Sequence, residues 1–130
     1  MHDQFYMALL TGSKEVPPVQ SNADGIALFH LDKRRNQIRF RLDVAGIDFI
    51  SEANIHLGRR NIIGPKVAIL PNPTNSDVME GYITSEILQG PLEGKSISDL
   101  AHEIETGKAF VQIQSKRKPN GELRGKIMQN

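Results

Sequence analysis

The chain has no cysteine and no tryptophan. Without cysteine there is no disulfide framework, no thiolate metal site and no sulfur nucleophile. Phe and Tyr together make up 5 % of the residues, which argues against a stacking platform for single-stranded nucleic acid or sugar rings. No apolar run approaches the roughly 18 residues a membrane-spanning helix needs, so no membrane span is expected. Neither charge sign dominates: Lys and Arg number 16, Asp and Glu 15, for a formal charge of +1. The halves on either side of Pro65 are each near balance, so the chain carries no basic arm or acidic tail, and no nucleic-acid partner is expected. The N-terminus, MHDQFYMALLTGSKE, has a short apolar run from Phe5 to Leu10 and no basic residue before it, unlike a secretory leader. Either the protein stays where it is made or a leader has been removed. The compartment is unassigned. With no signal peptide, the expected setting is the cytoplasm, or a spore or surface layer assembled from it.

What is present is alternation. The 130 residues suit one domain over 1–130. Ile38, Phe40, Leu42 and Val44 alternate with Arg39, Arg41 and Asp43, the pattern of a strand with one dry and one wet face. Gly25 to Leu31 is a second strand, with Ala27, Phe29 and Leu31 on one face, and the two form a hairpin. Phe5 to Leu10 is another, with Met7 and Leu9 on the face of Phe5. Further strands are read at Ala53 to Leu57, Val67 to Leu70, Tyr82 to Leu88, Ala109 to Gln114 and Glu122 to Met128. Asn120-Gly121 between the last two is a hairpin-turn pair, because both residues tolerate positive φ. Ser96 to Thr106 instead shows helical spacing at Ile97, Leu100, Ala101 and Ile104. Ser96 and Asp99 are placed as a capping box, and Gly107 as its stop. Loops containing Pro17 and Pro18, and Pro71 and Pro73, are too short for interdomain linkers. The expected fold is all-β: a Greek-key antiparallel β-sandwich or flattened barrel of about eight strands, with one short helix near 96–106.

Chemistry-bearing constellations are sparse. His2, His30, His56 and His102 show no close pairing, and a zinc or copper site needs three or four converging ligands. No Gly-x-Ser-x-Gly elbow occurs, and no glycine-rich loop opens a helix to cradle phosphate. Glu103 and Glu105 point apart on the helix, while Asp99 and Glu103 share what reads as a solvated face. No catalytic residue is assigned. Three basic clusters remain, Lys33-Arg34-Arg35, Arg59-Arg60 and Lys116-Arg117-Lys118, all expected in turns. Arg59, Arg60, Lys116, Arg117 and Lys118 make an anion-binding rim if the fold brings them to one end. Otherwise they are solvated charges that keep strand edges from pairing.

Three segments in order resemble the CHRD domain family, whose name comes from its repeats in chordin. LTGSKEVPPV (Leu10 to Val19) with ADGIALF (Ala23 to Phe29) resembles the Glu-Val-Pro-Pro and small-Gly-x-Ala pattern. ANIHLG (Ala53 to Gly58), followed by Gly64-Pro65-Lys66-Val67, resembles the second. GKAFVQIQSKRKPNGELRGK (Gly107 to Lys126) resembles the third, which ends in Pro-x-Gly-Glu-Ile-Arg-Gly. The resemblance spans about Phe5 to Ile127, is of the kind found in stand-alone bacterial forms, and implies a fold similar to copper/zinc superoxide dismutase. It also implies a His-x-His pair and a later His where dismutases bind copper. Here Asn54 and Gln114 stand at two of these positions and only His56 is left. No metal or other cofactor is therefore expected, with His56 as the weak candidate.

The other motif residues, Glu15, Pro17, Pro18, Gly25, Gly58, Gly121, Glu122, Arg124 and Gly125, read as architecture. Glu122 and Arg124 share a strand face and are expected to pair with each other or with Glu15. In chordin the module belongs to an extracellular ligand-binding protein. The function so implied is a non-enzymatic structural or interaction domain acting through its surface and exposed strand edges. Its partner is a protein or a second copy, in an assembly or layer such as a spore coat. The alternatives are a degenerate, dismutase-like metal binder using His56 with His30 or His102, and a binder of anionic ligands.

Overall fold

The computed structural model describes residues 3–71 and 77–129. His2 and Pro73 lie outside the described residues. The strands are β1 (Gln4–Thr11), β2 (Asp24–Leu31), β3 (Gln37–Ala45), β4 (Ile50–Arg59), β5 (Ile62–Ile69), β6 (Val78–Thr84), β7 (Ala109–Ser115), β8 (Leu123–Lys126) and β9 (Met128–Gln129). One helix, α1 (Ile97–Glu105), precedes β7. All strand pairings are antiparallel. The sheet order is β5-β4-β7-β8-β1-β2-β3-β6, with β9 added to β1, and the sheet curls into a half-barrel. The chain crosses between the β1-β2-β3-β6 wing and the β5-β4-β7-β8 wing after β3, β5 and β6, which is Greek-key connectivity.

Alternation places the core where the sequence suggests. Ala27, Phe29 and Leu31 from β2 and Ile38, Phe40, Leu42 and Val44 from β3 are all buried. Ala53, Ile55, Val111 and Ile113 meet them from the other wing. Helix α1 adds Ile97, Leu100, Ala101 and Ile104 to the same cluster. Its start is a complete capping box: Ser96 Oγ accepts from the Asp99 amide at 3.1 Å, and the Ser96 amide donates to Asp99 Oδ2 at 2.9 Å. Tyr6, buried in β1, donates its hydroxyl to Glu105 Oε2 at 2.6 Å and so ties the sheet to the end of the helix.

Three expectations are corrected. The strand read at Tyr82 to Leu88 is Val78–Thr84, and Ser85–Ile87 is a 3-10 turn closed by the Leu88 amide on Ser85 O. Gly81 and Glu80 disguise this strand, whose inward residues are Met79 and Ile83. The segment Glu122 to Met128 is not one strand: β8 ends at Lys126, and β9 pairs with β1 through Met7 and Met128. In β1, Phe5, Met7 and Leu9 share a face as expected, and it is the outward one, while Tyr6, Ala8 and Leu10 are inward. Strands β7 and β8 are buried on both sides, so Gln112, Glu122 and Arg124 are not solvated.

Close strand packing at β1 and β8 depends on Gly125. A Cβ built there would lie 2.0 Å from Leu9 O, an approach only relief by backbone movement can accommodate. Gly125→Ala is expected to cost about 3 kcal/mol or more of unfolding free energy. Gly94→Ala, with φ +77° and nothing within 4 Å of a new Cβ, is expected to cost only about 1 kcal/mol of backbone strain. Urea unfolding of the two variants measures the contrast.

Candidate functional site

The outer face of the β4-β7-β8 wing carries a row of polar side chains. Two-residue alternation puts Glu52, Asn54 and His56 on the side of β4 opposite Ala53 and Ile55. Register then aligns Asn54 with Gln112, and Gln112 with Arg124. This row faces away from the core, yet Asn54, His56, Gln112 and Arg124 are all buried. The segment after β1 and the β4–β5 turn lie over it.

Arg124 joins these covering pieces. Its Nη1 donates to Arg60 O at 2.8 Å and Lys14 O at 3.3 Å, and its Nη2 to Arg59 O at 2.6 Å and Ile62 O at 3.0 Å. The guanidinium sits 4.0 Å from the centre of the Phe110 ring, a cation–π contact. Among the described residues no carboxylate stands within salt-bridge distance of it. The expected pairing with Glu122 or Glu15 is therefore corrected: a fork of N–H donors matches carbonyls from two loops as well as it matches a carboxylate. Glu15 contributes to Arg124 only through its nearby charge.

The two buried carboxylates differ. Glu15 Oε1 accepts from Gln112 Nε2 at 2.9 Å, and burial pushes its pKa up against the pull of Gln112, the Val16 amide and Arg124. It lies beneath Gly121, where a Cβ would stand 2.6 Å from Glu15 Oε2 and 2.4 Å from Gln112 Nε2 at φ +123°. Gly121 is thus fixed by space and by conformation together. Burial also disfavours the Glu122 carboxylate, but Arg117, Ser115 and Ser21 outweigh it and hold its pKa at about 2. The distances are 2.6 Å from Arg117 Nη2 to Oε2, 2.6 Å from Ser115 Oγ to Oε1 and 2.5 Å from Ser21 Oγ to Oε2. Of the other motif residues, Gly25 and Gly58 lie within β2 and β4. The peptide bond before Pro17 is cis, and Pro17 and Pro18 are exposed.

His56 does not fit a metal centre. Its Nδ1 lies 3.0 Å from Gly64 O, a hydrogen bond that leaves Nε2 as the acceptor nitrogen. Burial lowers its pKa, and Lys66 and Arg124 lower it further, so the imidazole is neutral, but the same two cations repel a metal ion. Beside it stand the amide of Asn54 and the salt-bridged pair Lys66 and Glu52. His30 instead stacks on Phe5 at 4.7 Å and contacts Asp3, while His102 is an exposed helix residue. Among the described residues no three His, Cys, Asp or Glu side chains form a metal-holding group.

The basic clusters are not brought to one end. Arg59 is the last residue of β4, paired with Ile62 rather than lying in a turn as expected, and Arg60 follows it, whereas the Lys116 amide bonds Phe49 O before the first residue of β4. Ten residues of strand, about 30 Å, lie between them. Arg117 is also engaged, by Glu122 and by Gly46 O. Lys33 and Arg34 lie in the β2–β3 turn, where Arg35 pairs with Glu105.

Two surface features were not legible as sites in the sequence. The first is the outward face of β1, β2 and β9. Phe5 is 53 % exposed, Leu9 60 %, Leu28 39 % and Met128 54 %, and Met7 pairs across to both Leu28 and Met128. The apolar run Phe5 to Leu10 was its only signal: a strand apolar on both faces either is buried on both or leaves one face for something else. The second is a groove of about 590 Å³ beside this face, crossing β1, β8 and β7.

The model of a family described as the CHRD domain matches residues 6–127. Chordin of Xenopus laevis is 28 % identical over 120 residues, which cover 91 % of this chain. The chain spans 12 % of the length of that relative.

Two expected outcomes rest on the buried charges. Glu122 has a folded pKa below its ordinary 4.5, so its contribution is full above that value and is lost as pH falls toward 2. Glu122→Gln is expected to lower stability at neutral pH by on the order of 3 kcal/mol and to flatten the acid limb of a stability–pH curve. Arg124→Met keeps the bulk but leaves the loop carbonyls without donors. It is expected to cost about 3–5 kcal/mol, and Arg124→Lys not to restore the loss, as measured by urea unfolding.

Proposed function

The chain belongs to the CHRD domain family, and from that premise we propose that it is a non-enzymatic interaction domain that associates with a second copy of itself through the outward face of β1, β2 and β9. The observation that carries this reading is the contiguous exposure of Phe5, Leu9, Leu28 and Met128. An apolar patch on one sheet face, bordered by the charged pairs Arg39–Glu80 and Arg41–Glu80, has the composition of a contact surface. A border carrying both signs, on a chain of formal charge +1, does not repel its own copy. The face is a better contact than the strand edges. Pro65 has no amide hydrogen to offer, and two register shifts interrupt the β4–β5 ladder. The non-enzymatic reading is supported by the engagement of Glu15 with Gln112, of Glu122 with Arg117, Ser115 and Ser21, and of Arg124 with four backbone carbonyls.

The test is sedimentation velocity across a concentration series. The wild type is expected to self-associate at micromolar concentrations. Leu28→Lys is expected to weaken association about tenfold or more, roughly 1.4 kcal/mol, with an unchanged melting temperature. A wild type that stays monomeric at every concentration, or a Leu28→Lys variant that associates equally well, overturns the reading. Recovery of the native protein in an insoluble layer, such as a spore coat, would extend it from a pair to an assembly.

A further inference from the structure

We propose that the groove crossing β1, β8 and β7 binds a single amphipathic anion, an alkyl chain or similar apolar body ending in one carboxylate. At about 590 Å³ it lies within the size range of small-molecule sites. One wall is apolar, formed by Met7, Leu9 and Met128, with the Phe110 ring opposite. Gly107, where a Cβ would meet the Lys126 side chain at 3.1 Å, contributes no side chain to it.

The charged residues of the lining are all cationic. Arg59 and Arg60 enter from the β4–β5 turn, and Lys108 and Lys126 from the other side. No Asp or Glu lines the groove. None of these four cations forms an ion pair with a described residue. Beneath them lies Arg124, almost wholly buried and bonded only to neutral carbonyls. A guanidinium without a contacting carboxylate, under a cleft walled by low-dielectric side chains, focuses positive potential into that cleft. An apolar wall beside that potential selects a ligand that has both an apolar body and a negative head. A simple inorganic anion would leave the wall unused, and a neutral hydrocarbon would leave the cations unused.

The apolar wall shares Leu9 and Met128 with the association face, so a second copy and the anion compete for it, while Arg60, Lys108 and Lys126 lie outside that face and tell the two occupants apart. The proposal is tested by titrating the full chain with decanoate below its micelle concentration, with decanol and with butyrate. Calorimetry reads the affinity, and backbone amide shifts read the location. Decanoate is expected to bind, shifting the amides of Gly58, Gly107 and Gly125. Decanol and butyrate are expected to bind about tenfold or more weakly. Added salt should weaken the decanoate complex. Charge reversal at two exposed positions, Arg60→Glu with Lys126→Glu, should weaken decanoate by about tenfold or more without changing the melting temperature. Leu28→Lys should leave it unchanged. Equal binding of decanol and decanoate overturns the proposal, as do shifts centred on Phe5 and Leu28. So does failure of decanoate to bind while vesicles of anionic phospholipid do, which would make the surface a membrane contact instead.

Discussion

The structure depends on one guanidinium. Arg124 lies in a four-residue strand that could not by itself hold anything in place, yet it collects carbonyls from Lys14, Arg59, Arg60 and Ile62. Those carbonyls lie at the end of the turn after β1 and around the β4–β5 connection, where the strand ladder gives out, and covering the sheet with these segments removes them from water. A buried acceptor left unpaired costs about as much as several ordinary hydrogen bonds contribute. Arg124 therefore allows two loops to lie over a polar strand face. The neighbouring features follow from that cover: Glu15 is shut in against Gln112, Gly121 has no room for a side chain, and His56 turns its Nδ1 to Gly64.

The same arrangement explains the electrostatic contrast between the two carboxylates. Both are buried, and burial disfavours the charge of each. Glu122 meets a guanidinium and two hydroxyls, so its ionised form is held firmly. Glu15 meets one amide side chain and a backbone amide, with Arg124 acting only at a distance, and the balance goes the other way. Environment, not residue type, sets the two apart.

Much of the fold was legible because most strands alternate cleanly. β2 and β3 were read with their faces correct, as were the helix and its cap; the Asn120-Gly121 segment does connect β7 to β8, but within a longer loop in which Gly121 has positive φ and Asn120 does not. The failures share a cause. In β7 and β8 the alternation is real, but the polar face is covered by distant loops, which no local pattern records. In β6 the glycine and glutamate at positions 81 and 80 mask the period. In β1 the apolar residues occupy both faces, and periodicity cannot say which face is inside. The importance of Glu15, Glu122 and Arg124 was visible through the family resemblance, but their partners were not. A pairing inferred from opposite charge gave way to backbone carbonyls and to Arg117, Ser115 and Ser21, which reach the carboxylate only in the folded chain.

The place of β1 has a consequence for how the chain reaches this state. The first strand is hydrogen-bonded to β8 and β9, and Tyr6 to a helix residue 99 positions away. Arg124 reaches back 110 positions to Lys14. Closure of such contacts requires long loops to be ordered before any of their stabilisation is gained, which slows folding. During synthesis, β1, β2 and β3 can form a meander early, but the loops following β1 and β4 have no anchor until residue 124 has emerged. The nascent molecule therefore passes through a stage with the β1–β2 part of its apolar outer face formed, β9 not yet added and its polar cover still loose. That interval is when the chain is most exposed to misassociation with its neighbours on the same message.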